Sequence, residues 1–315
     1  MLDTFWNVFG QMMVVLMLLL IGYVFNRKKW MPKEAEIVLS KLVTLLFLPS
    51  LTFNTFLTRC TVENLRQYSS LVLYGSVLVL AMMLLSYPVA KLIAGGDSYK
   101  AGVLRYCISF PNTGAVGTPL VIALFGTMGL FQFNLFNLGV GIACYSWGIA
   151  QLLPSHGKKT FWQSMRSILN PNFLAMVFGG ILGITGVAAK LPEVVFSGLD
   201  RVGTCYTIVS LILTGFIIAD YRPQEILGDK KVYLVTALRL IVLPGLVLAG
   251  MKFMHASVLL LTMTCLHIAC PCGMNVVVFP AAYRMDSRFG ASLVLITSAL
   301  SVITVPIIYT LVTAV

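Results

Sequence analysis

The sequence predicts an all-α membrane protein whose ten transmembrane helices form two inverted repeats of five. Three observations lead to this prediction. Of the 315 residues, 58% are hydrophobic and only 10% are charged, whereas a soluble domain usually carries about a quarter charged residues. The chain contains apolar runs long enough to cross the hydrocarbon core, which takes ~20 residues. The fourth and the ninth of these runs are predicted to be broken at a proline, at Pro111 and at Pro271, which are 160 residues apart.

Ten apolar runs are predicted to be membrane-spanning helices. In chain order they are 4–26, 35–57, 68–94, 100–126, 129–153, 171–190, 194–219, 230–252, 256–282 and 288–313. The first run has no preceding basic region and no small-residue cleavage site, so it is predicted to be a helix and not a signal peptide.

Basic residues are distributed unequally between the two sides of the predicted membrane. The loops on one side, starting with the loop after the first span, hold fifteen Lys and Arg, and the loops on the other side hold five. The positive-inside rule places the first set in the cytoplasm and both termini outside it, in a multi-pass protein of the cell membrane. Topology therefore accounts for the net charge of +11, and no nucleic-acid partner is predicted.

The acidic residues and the cysteines exclude several classes of function. All eleven acidic residues lie at span ends or in loops, which argues against an aspartyl intramembrane protease and a carboxylate proton relay. It also weakens the case for a sodium site, because hard cations prefer charged oxygen ligands. The seven cysteines include no CxxC pair, and Cys270 and Cys272 have only His267 nearby as a further ligand. We predict no enzyme, no cofactor and no metal site.

The basic loop at 154–169 divides the chain into two halves of five spans. The first predicted repeat is 1–153 and the second is 170–315. Because five is odd, the second half enters the membrane in the opposite orientation, which is the condition for an inverted repeat. Matching interruptions in the two halves of a transporter mark a binding site near the middle of the membrane.

The two interrupted spans predict an anion site. Proline removes a hydrogen-bond donor and clashes with the carbonyl four residues back, and the freed groups are tolerated in a membrane only where protein or a water-filled cavity surrounds them. A new helix begins after each break, with free N–H groups that favour an anion. Asn112 and Thr113 are candidate caps for the first helix, and Gly273 allows close backbone approach at the second. The alternative is a single proline kink used for packing, which the matching second break disfavours.

The candidate substrate-binding residues follow from the breaks. Pro111 and Pro271 break the helices, and Asn112, Thr113 and nearby backbone N–H groups would receive a carboxylate. Asn275 is predicted to be a second polar contact near Gly273. Asn54 and Tyr145 are further candidates for the cavity wall.

Three further titratable residues and one group of glycines have open interpretations. Arg239 either reaches the cytoplasmic interface or has a structural or substrate-pairing role. Lys41 is predicted to reach the interface, and His267 is predicted to be neutral and hydrogen-bonded. The glycines of "GGILGITG" (179–186) allow close helix approach, either within the chain or in a homodimer.

Five stretches of the chain carry a family resemblance. They are "LSKLVTLLFLPSLTFNTF" (39–56), "FPNTGAVGTPL" (110–120), "NPNFLAMVFGGILG" (170–183), "LRLIVLPG" (238–245) and "CPCGMNVVVFPAAYRMD" (270–286). In this order, and along almost the whole chain, they resemble the auxin efflux carrier family, whose plant members are the PIN auxin carriers. The short 154–169 loop resembles that of prokaryotic members.

The resemblance implies a fold, an activity and the roles of three residues. The fold would be ten helices in two inverted repeats, as in the bile-acid/sodium symporters, with helices one, two, six and seven supporting a moving domain of the others. The activity would be secondary transport of small organic anions. Pro111 and Pro271 match the family's crossover prolines, and Asn112 takes the place of the asparagine that contacts the substrate carboxylate. The glutamine that follows the second proline in PIN carriers is absent here, so the resemblance does not imply auxin itself as the substrate.

The sequence therefore predicts a secondary transporter that moves a carboxylate or auxin-like anion by alternating access. Its partners would be the small organic anion and the lipid bilayer. A ligand sensor that keeps this fold and an anion channel are the alternatives.

Overall fold

The computed structural model describes residues 2–153, 169–220, 228–283 and 285–313, and the regular secondary structure within them is helical. Seven of the described helices are long and apolar enough to cross a membrane, and Pro171–Ile184 and Val258–Ile268 are shorter apolar helices. The chain is therefore a multi-pass membrane protein. The helices are α1 (Leu2–Arg27), α2 (Ala35–Arg59), α3 (Val62–Ala94), α4 (Ser98–Ser109), α5 (Thr113–Leu152), α6 (Pro171–Ile184), α7 (Glu193–Ile218), α8 (Lys230–Phe253), α9 (Val258–Ile268), α10 (Asn275–Ala282) and α11 (Arg288–Thr313).

The helix boundaries differ from the predicted spans in three places. The runs 100–126 and 129–153 are joined, because α5 continues through a kink at Gly126, whose φ of 61° and ψ of −155° suit a residue without a Cβ. The run 171–190 ends early, at Ile184, since Gly186 adopts a left-handed φ of 71°. Helix α3 begins at Val62, six residues before the predicted start at 68. Most of the loop predicted over 154–169 lies outside the described residues.

Polar side chains cap the first turns of several helices. A cap accepts a hydrogen bond from a backbone N–H that has no partner within its helix. Each of the following residues accepts such a bond at a helix start: Thr61, Asp97, Asn112, Asn170, Asp229 and Ser257.

Three helices contain a wide π turn that ends two residues before a proline. Such a turn bonds each N–H five residues back and relieves the clash between a proline ring and the preceding turn. The turns are Val43–Phe47 before Pro49, Thr113–Gly117 before Pro119, and Leu238–Val242 before Pro244. The second of these follows the break at Pro111, and the third contains Arg239.

The helices pack in two groups around the site. Helix α1 packs along α7, and α2 packs against α6 and α7; in the other group α3 packs against α4 and α5, and α11 against α8 and α9. Helix α1 also packs along α11, so an extensive contact joins the two groups. Glycines permit the closest contacts. A Cβ at Gly179 on α6 would lie 2.7 Å from the Phe53 carbonyl oxygen of α2. A Cβ at Gly183 would lie 2.7 Å from the carbonyl oxygens of Phe56 on α2 and of Cys60, which directly follows that helix. These glycines therefore serve packing within the chain, the first of the two alternatives predicted for them.

Candidate functional site

The two interrupted regions lie against each other. The chain is not helical between α4 and α5 (110–112) or between α9 and α10 (269–274), and we call these segments the paired breaks. Pro111 and Cys272 form an antiparallel bridge. The Asn112 N–H donates to the Pro271 carbonyl at 2.7 Å, and the Gly273 N–H donates to the Phe110 carbonyl at 3.2 Å. Each break thus supplies hydrogen-bond partners that the other lacks, as burial in a membrane requires.

The absence of a side chain at Gly273 permits this contact. A Cβ there would lie 3.1 Å from the Phe110 carbonyl oxygen, which is closer than an ordinary van der Waals contact. The N–H of Cys272, the preceding residue in the second break, donates to the Thr297 hydroxyl of α11 at 3.1 Å. The two breaks and α11 therefore form one hydrogen-bonded unit.

A cavity of about 320 Å³ adjoins the paired breaks. This volume suits a small organic molecule, since ligand pockets run from about 300 to 1,000 Å³. Among the described residues that line it, none is charged. Its polar lining comes from the first break, from α2, α4 and α5 and from the starts of α6 and α10: Thr52, Tyr106, Asn112, Thr113, Thr118, Asn134, Asn137, Cys144, Tyr145, Asn170, Asn172 and Asn275.

Asn112 presents a hydrogen-bond donor at this cavity. Its Oδ1 caps α5 by accepting from the Ala115 N–H at 3.2 Å. The residue is only 6% exposed, and its Nδ2 is buried without a hydrogen-bond partner. A buried donor without a partner is costly, so a ligand acceptor at Nδ2 would relieve that cost.

Asn275 belongs to a network on the same wall. Its Nδ2 donates to the Tyr106 hydroxyl at 2.7 Å, and that hydroxyl lies 3.0 Å from the Cys144 Sγ. Because the Tyr106 oxygen already accepts from Asn275, its own hydrogen is available to the sulfur. The network connects α4, α5 and α10 beside the breaks and holds the amide of Asn275 in place.

Four asparagines of the cavity were not predicted from the sequence. Asn134 and Asn137 lie on α5, and Asn170 and Asn172 lie at the start of α6. Asn134 Nδ2 and Asn172 Oδ1 are buried without partners. The signal in the sequence is the presence of amides inside or directly beside apolar runs, at positions where packing alone favours hydrophobic residues.

His267 supports the cavity from behind through Asn137. The Asn137 Nδ2 donates to the Phe133 carbonyl at 2.8 Å, so its Oδ1 is the acceptor of the 2.8 Å bond with His267 Nδ1. His267 therefore carries its hydrogen on Nδ1 in this arrangement. With 1% exposure and this bond, His267 has the hydrogen-bonded packing role that was predicted for it.

Six of the eight predicted site residues line the cavity, namely Pro111, Asn112, Thr113, Tyr145, Gly273 and Asn275. Pro271 does not line it, and its carbonyl instead accepts from Asn112. Asn54 is buried on another face of α2. Leu48 and Thr52 of that helix line the cavity. Asn54 is two residues after Thr52, and because a helix rotates by about 100° per residue, its side chain points to a different face.

The two cations predicted within spans have different environments. Arg239 is buried at 1% exposure, so its side chain does not reach the interface, and it does not line the cavity. Lys41 is exposed on the surface of α2, which fits a side chain that extends toward the membrane interface.

One ion pair joins the start of α4 to the start of α8, away from the cavity. Lys100 Nζ lies 3.1 Å from Asp229 Oδ2, and Asp229 also accepts from the Lys231 N–H. Partial burial acts to raise the pKa of the Asp229 carboxyl, but the Lys231 N–H and the Lys100 ammonium outweigh it and lower that pKa. Both side chains are about one third exposed, so the pair contributes only about 0–1 kcal/mol to stability.

Comparison with known proteins places most of the chain in one sequence family. The family model described as "Membrane transport protein" matches residues 7–309. An uncharacterized transporter of Methanothermobacter thermautotrophicus is 27% identical over 300 residues, which cover 93% of this chain and 94% of that protein.

Proposed function

This protein belongs to the membrane transport protein family that includes the auxin efflux carriers, because the model of that family matches nearly the whole chain. We propose that it is a secondary transporter of a small organic anion. The cavity beside the paired breaks would be the substrate site. The observation that carries this proposal is the unpartnered Nδ2 of Asn112, which is buried at the wall of that cavity.

The chemistry of the cavity favours a carboxylate. Asn112 and Asn134 each provide an amide donor without a partner, and α5 begins at the same place with the positive end of its dipole. Hydrogen bonds to a charged group contribute about 1.5–3 kcal/mol each, which helps to offset the cost of removing the carboxylate from water. Asn275 would orient the rest of the substrate from the facing break.

In this proposal the ten spans form two inverted repeats, 1–153 and 170–315, joined by the cytoplasmic segment 154–169. Two findings support the arrangement. The breaks are 160 residues apart and contact each other through an antiparallel bridge, as expected of crossing spans in opposite orientations. Within the groups that the family resemblance implies, α1 packs along α7 and α3 packs against α4 and α5, while the α1–α11 contact joins one group to the other.

Alternating access would occur by movement of one helix group against the other. The cavity lies between the groups, because Thr52, Asn170 and Asn172 come from α2 and the start of α6, whereas the breaks belong to the other group. A relative movement of the groups would close the cavity to one side and open it to the other.

A thermal-shift screen tests the substrate class. Purified protein would be heated with phenylacetate, indole-3-acetate, succinate or malate, and with the primary amide of each as a control. A ligand at about 100 times its dissociation constant stabilises by ~2.7 kcal/mol, which raises the melting temperature measurably. We expect at least one carboxylate to stabilise more than its amide. Absence of a shift with all four carboxylates would refute the proposed substrate class.

Transport is expected to require no sodium. No carboxylate lines the cavity among the described residues, so an ion site would have to be built from neutral oxygens alone. Counterflow of the stabilising carboxylate into proteoliposomes should proceed at a similar rate when choline replaces sodium. A loss of about ten-fold or more in choline would contradict this prediction. Flux that needs no counter-substrate and does not saturate would indicate a channel instead.

The proposed topology can be tested by cysteine labelling. Gly157→Cys lies in the segment predicted to be cytoplasmic, and Glu63→Cys lies in the exposed first turn of α3, which is predicted to be external. In intact cells an impermeant thiol reagent should label Glu63→Cys but not Gly157→Cys, with the parent protein as the background. The opposite pattern would reverse the orientation.

A further inference from the structure

Arg239 is a buried cation whose hydrogen bonds are incomplete. It lies in the π turn Leu238–Val242 of α8 and is 1% exposed. Its Nε and Nη2 have no hydrogen-bond partner, and neither salt bridge found in the described part of the chain involves it. A guanidinium stays protonated even in such surroundings, so it is a fixed positive charge. A buried, unpaired charge is expensive, and such residues within membrane spans commonly serve function.

The guanidinium lies close to the paired breaks. The π turn that contains Arg239 packs against α11, and the Thr297 hydroxyl of α11 accepts from the Cys272 N–H in the second break. The buried side chains of Cys107, Cys270, Cys272 and His267 are close enough to interact with the guanidinium electrostatically. Cys107 belongs to α4, one turn before the first break, while Cys270 and Cys272 flank Pro271 within the second. Gly273, the next residue, lines the cavity. Arg239 is thus near the cavity without touching a ligand there.

No charge on the cavity wall competes with the field of Arg239. The described lining is neutral, and low-dielectric surroundings screen a fixed charge much less than water does. A unit charge about 10 Å from a ligand, at an effective dielectric of about 20, changes affinity for a charged ligand on the order of ten-fold. The same charge has little effect on a neutral ligand of the same shape.

We propose that Arg239 determines the anion selectivity of this cavity as a fixed positive charge acting through the paired breaks, without contact with the ligand. The inference rests on the proposed function, because it assigns the origin of carboxylate preference at the same site. The alternative is that Arg239 only fills space in the core. The two differ in one observable: loss of the charge weakens carboxylate binding alone, whereas loss of packing weakens the binding of carboxylate and amide together.

The test compares a carboxylate with its own amide in matched variants. The probe is the one of phenylacetate, indole-3-acetate, succinate and malate that stabilises the wild type most, paired with its primary amide, and both affinities are measured by calorimetry. Arg239→Met should lower the carboxylate-to-amide affinity ratio about ten-fold. Lys41→Met, which removes an exposed cation of another span, should keep the wild-type ratio.

An unchanged ratio in folded Arg239→Met would overturn the proposal, as would an equal fall of both affinities. Arg239→Gln, which is also uncharged, replaces the methionine variant if that variant does not fold. The wild type provides a measurement that needs no variant: a carboxylate preference of less than about ten-fold over the amide would also overturn the proposal. If the wild type binds none of the four carboxylates, the proposed function itself fails, which is a different result from a retained ratio.

Discussion

Asn112→Asp is expected to abolish carboxylate binding at neutral pH while leaving the fold intact. Aspartate caps helices as well as asparagine does, so one of its oxygens can keep the bond from the Ala115 N–H. The other oxygen takes the place of Nδ2, which removes the donor and puts a negative charge beside the substrate. At ~4 Å and an effective dielectric of about 20, that repulsion is ~4 kcal/mol.

The lost hydrogen bond adds about 1.5–3 kcal/mol, so the affinity should fall by more than about 1,000-fold. Asn112→Ser separates the two effects, because serine keeps a cap but provides no amide donor and no charge. Asn112→Ala loses the cap and the donor together, and we expect it to bind the carboxylate more weakly than wild type but better than Asn112→Asp. Melting temperatures without ligand serve as the folding control.

The pH dependence of this variant gives an independent check. A nearby anion raises the pKa of the introduced carboxyl group, because it disfavours the charged form. As the pH falls, aspartate takes up a proton and the repulsion disappears, so carboxylate binding to Asn112→Asp should recover partly in acid. The measurement is affinity at neutral and acid pH for wild type and variants. Binding by Asn112→Asp at neutral pH that equals wild type would place the substrate elsewhere.

Gly22→Ala and Gly215→Ala are expected to be the most destabilising single methyl additions on α1 and α7. A Cβ at Gly22 would overlap the carbonyl oxygen of Ile212, and a Cβ at Gly215 would overlap the carbonyl oxygen of Leu19. Backbone oxygens cannot rotate away as a side chain can, so the helices must separate. Overpacking of this kind costs about 1–3 kcal/mol or more.

The same two helices provide matched controls. Gly10 on α1 and Gly198 on α7 have no heavy atom within 4 Å of the position of a Cβ. Alanine at either should leave stability unchanged or raise it, because alanine favours a helix over glycine by up to about 1 kcal/mol. Thermal unfolding of the four variants in one detergent measures the difference. A melting temperature of Gly22→Ala equal to that of Gly10→Ala would show that α1 and α7 are not so closely packed.

The double variant gives further information about the α1–α7 contact. Once one added methyl has separated the helices, the second should destabilise less, because both lie in the same interface: Gly215 of α7 contacts Leu19, which is one turn from Gly22 on α1. We therefore expect the destabilisation of Gly22→Ala with Gly215→Ala to be smaller than the sum of the single effects, as is usual for neighbouring sites.

The sequence by itself determined the membrane class, the places where two spans break, and the cap at Asn112. These properties depend on local chemistry. A proline within an apolar run removes one donor from the hydrogen-bond ladder, and a membrane offers few ways to satisfy the freed groups. Pro88 and Pro306 nevertheless lie inside continuous helices, so it is the matching positions of Pro111 and Pro271 that mark the breaks. An asparagine directly after such a break has a helix start within reach of its side chain. Residues 110–113 therefore specify the break and its cap locally, whereas the second break supplies the hydrogen-bond partners of Asn112 N–H and the Phe110 carbonyl.

Tertiary structure alone decided which other side chains meet at the cavity. Thr52 lines it and Asn54 does not, although they are two residues apart, because the rotation of α2 depends on its packing against α6 and α7. Asn134 and Asn172 come from helices separated by the middle of the chain, so no local pattern connects them. The sequence allowed two environments for Arg239, because a long side chain can either reach the interface or remain inside. Only the packing around it buries the charge beside the paired breaks.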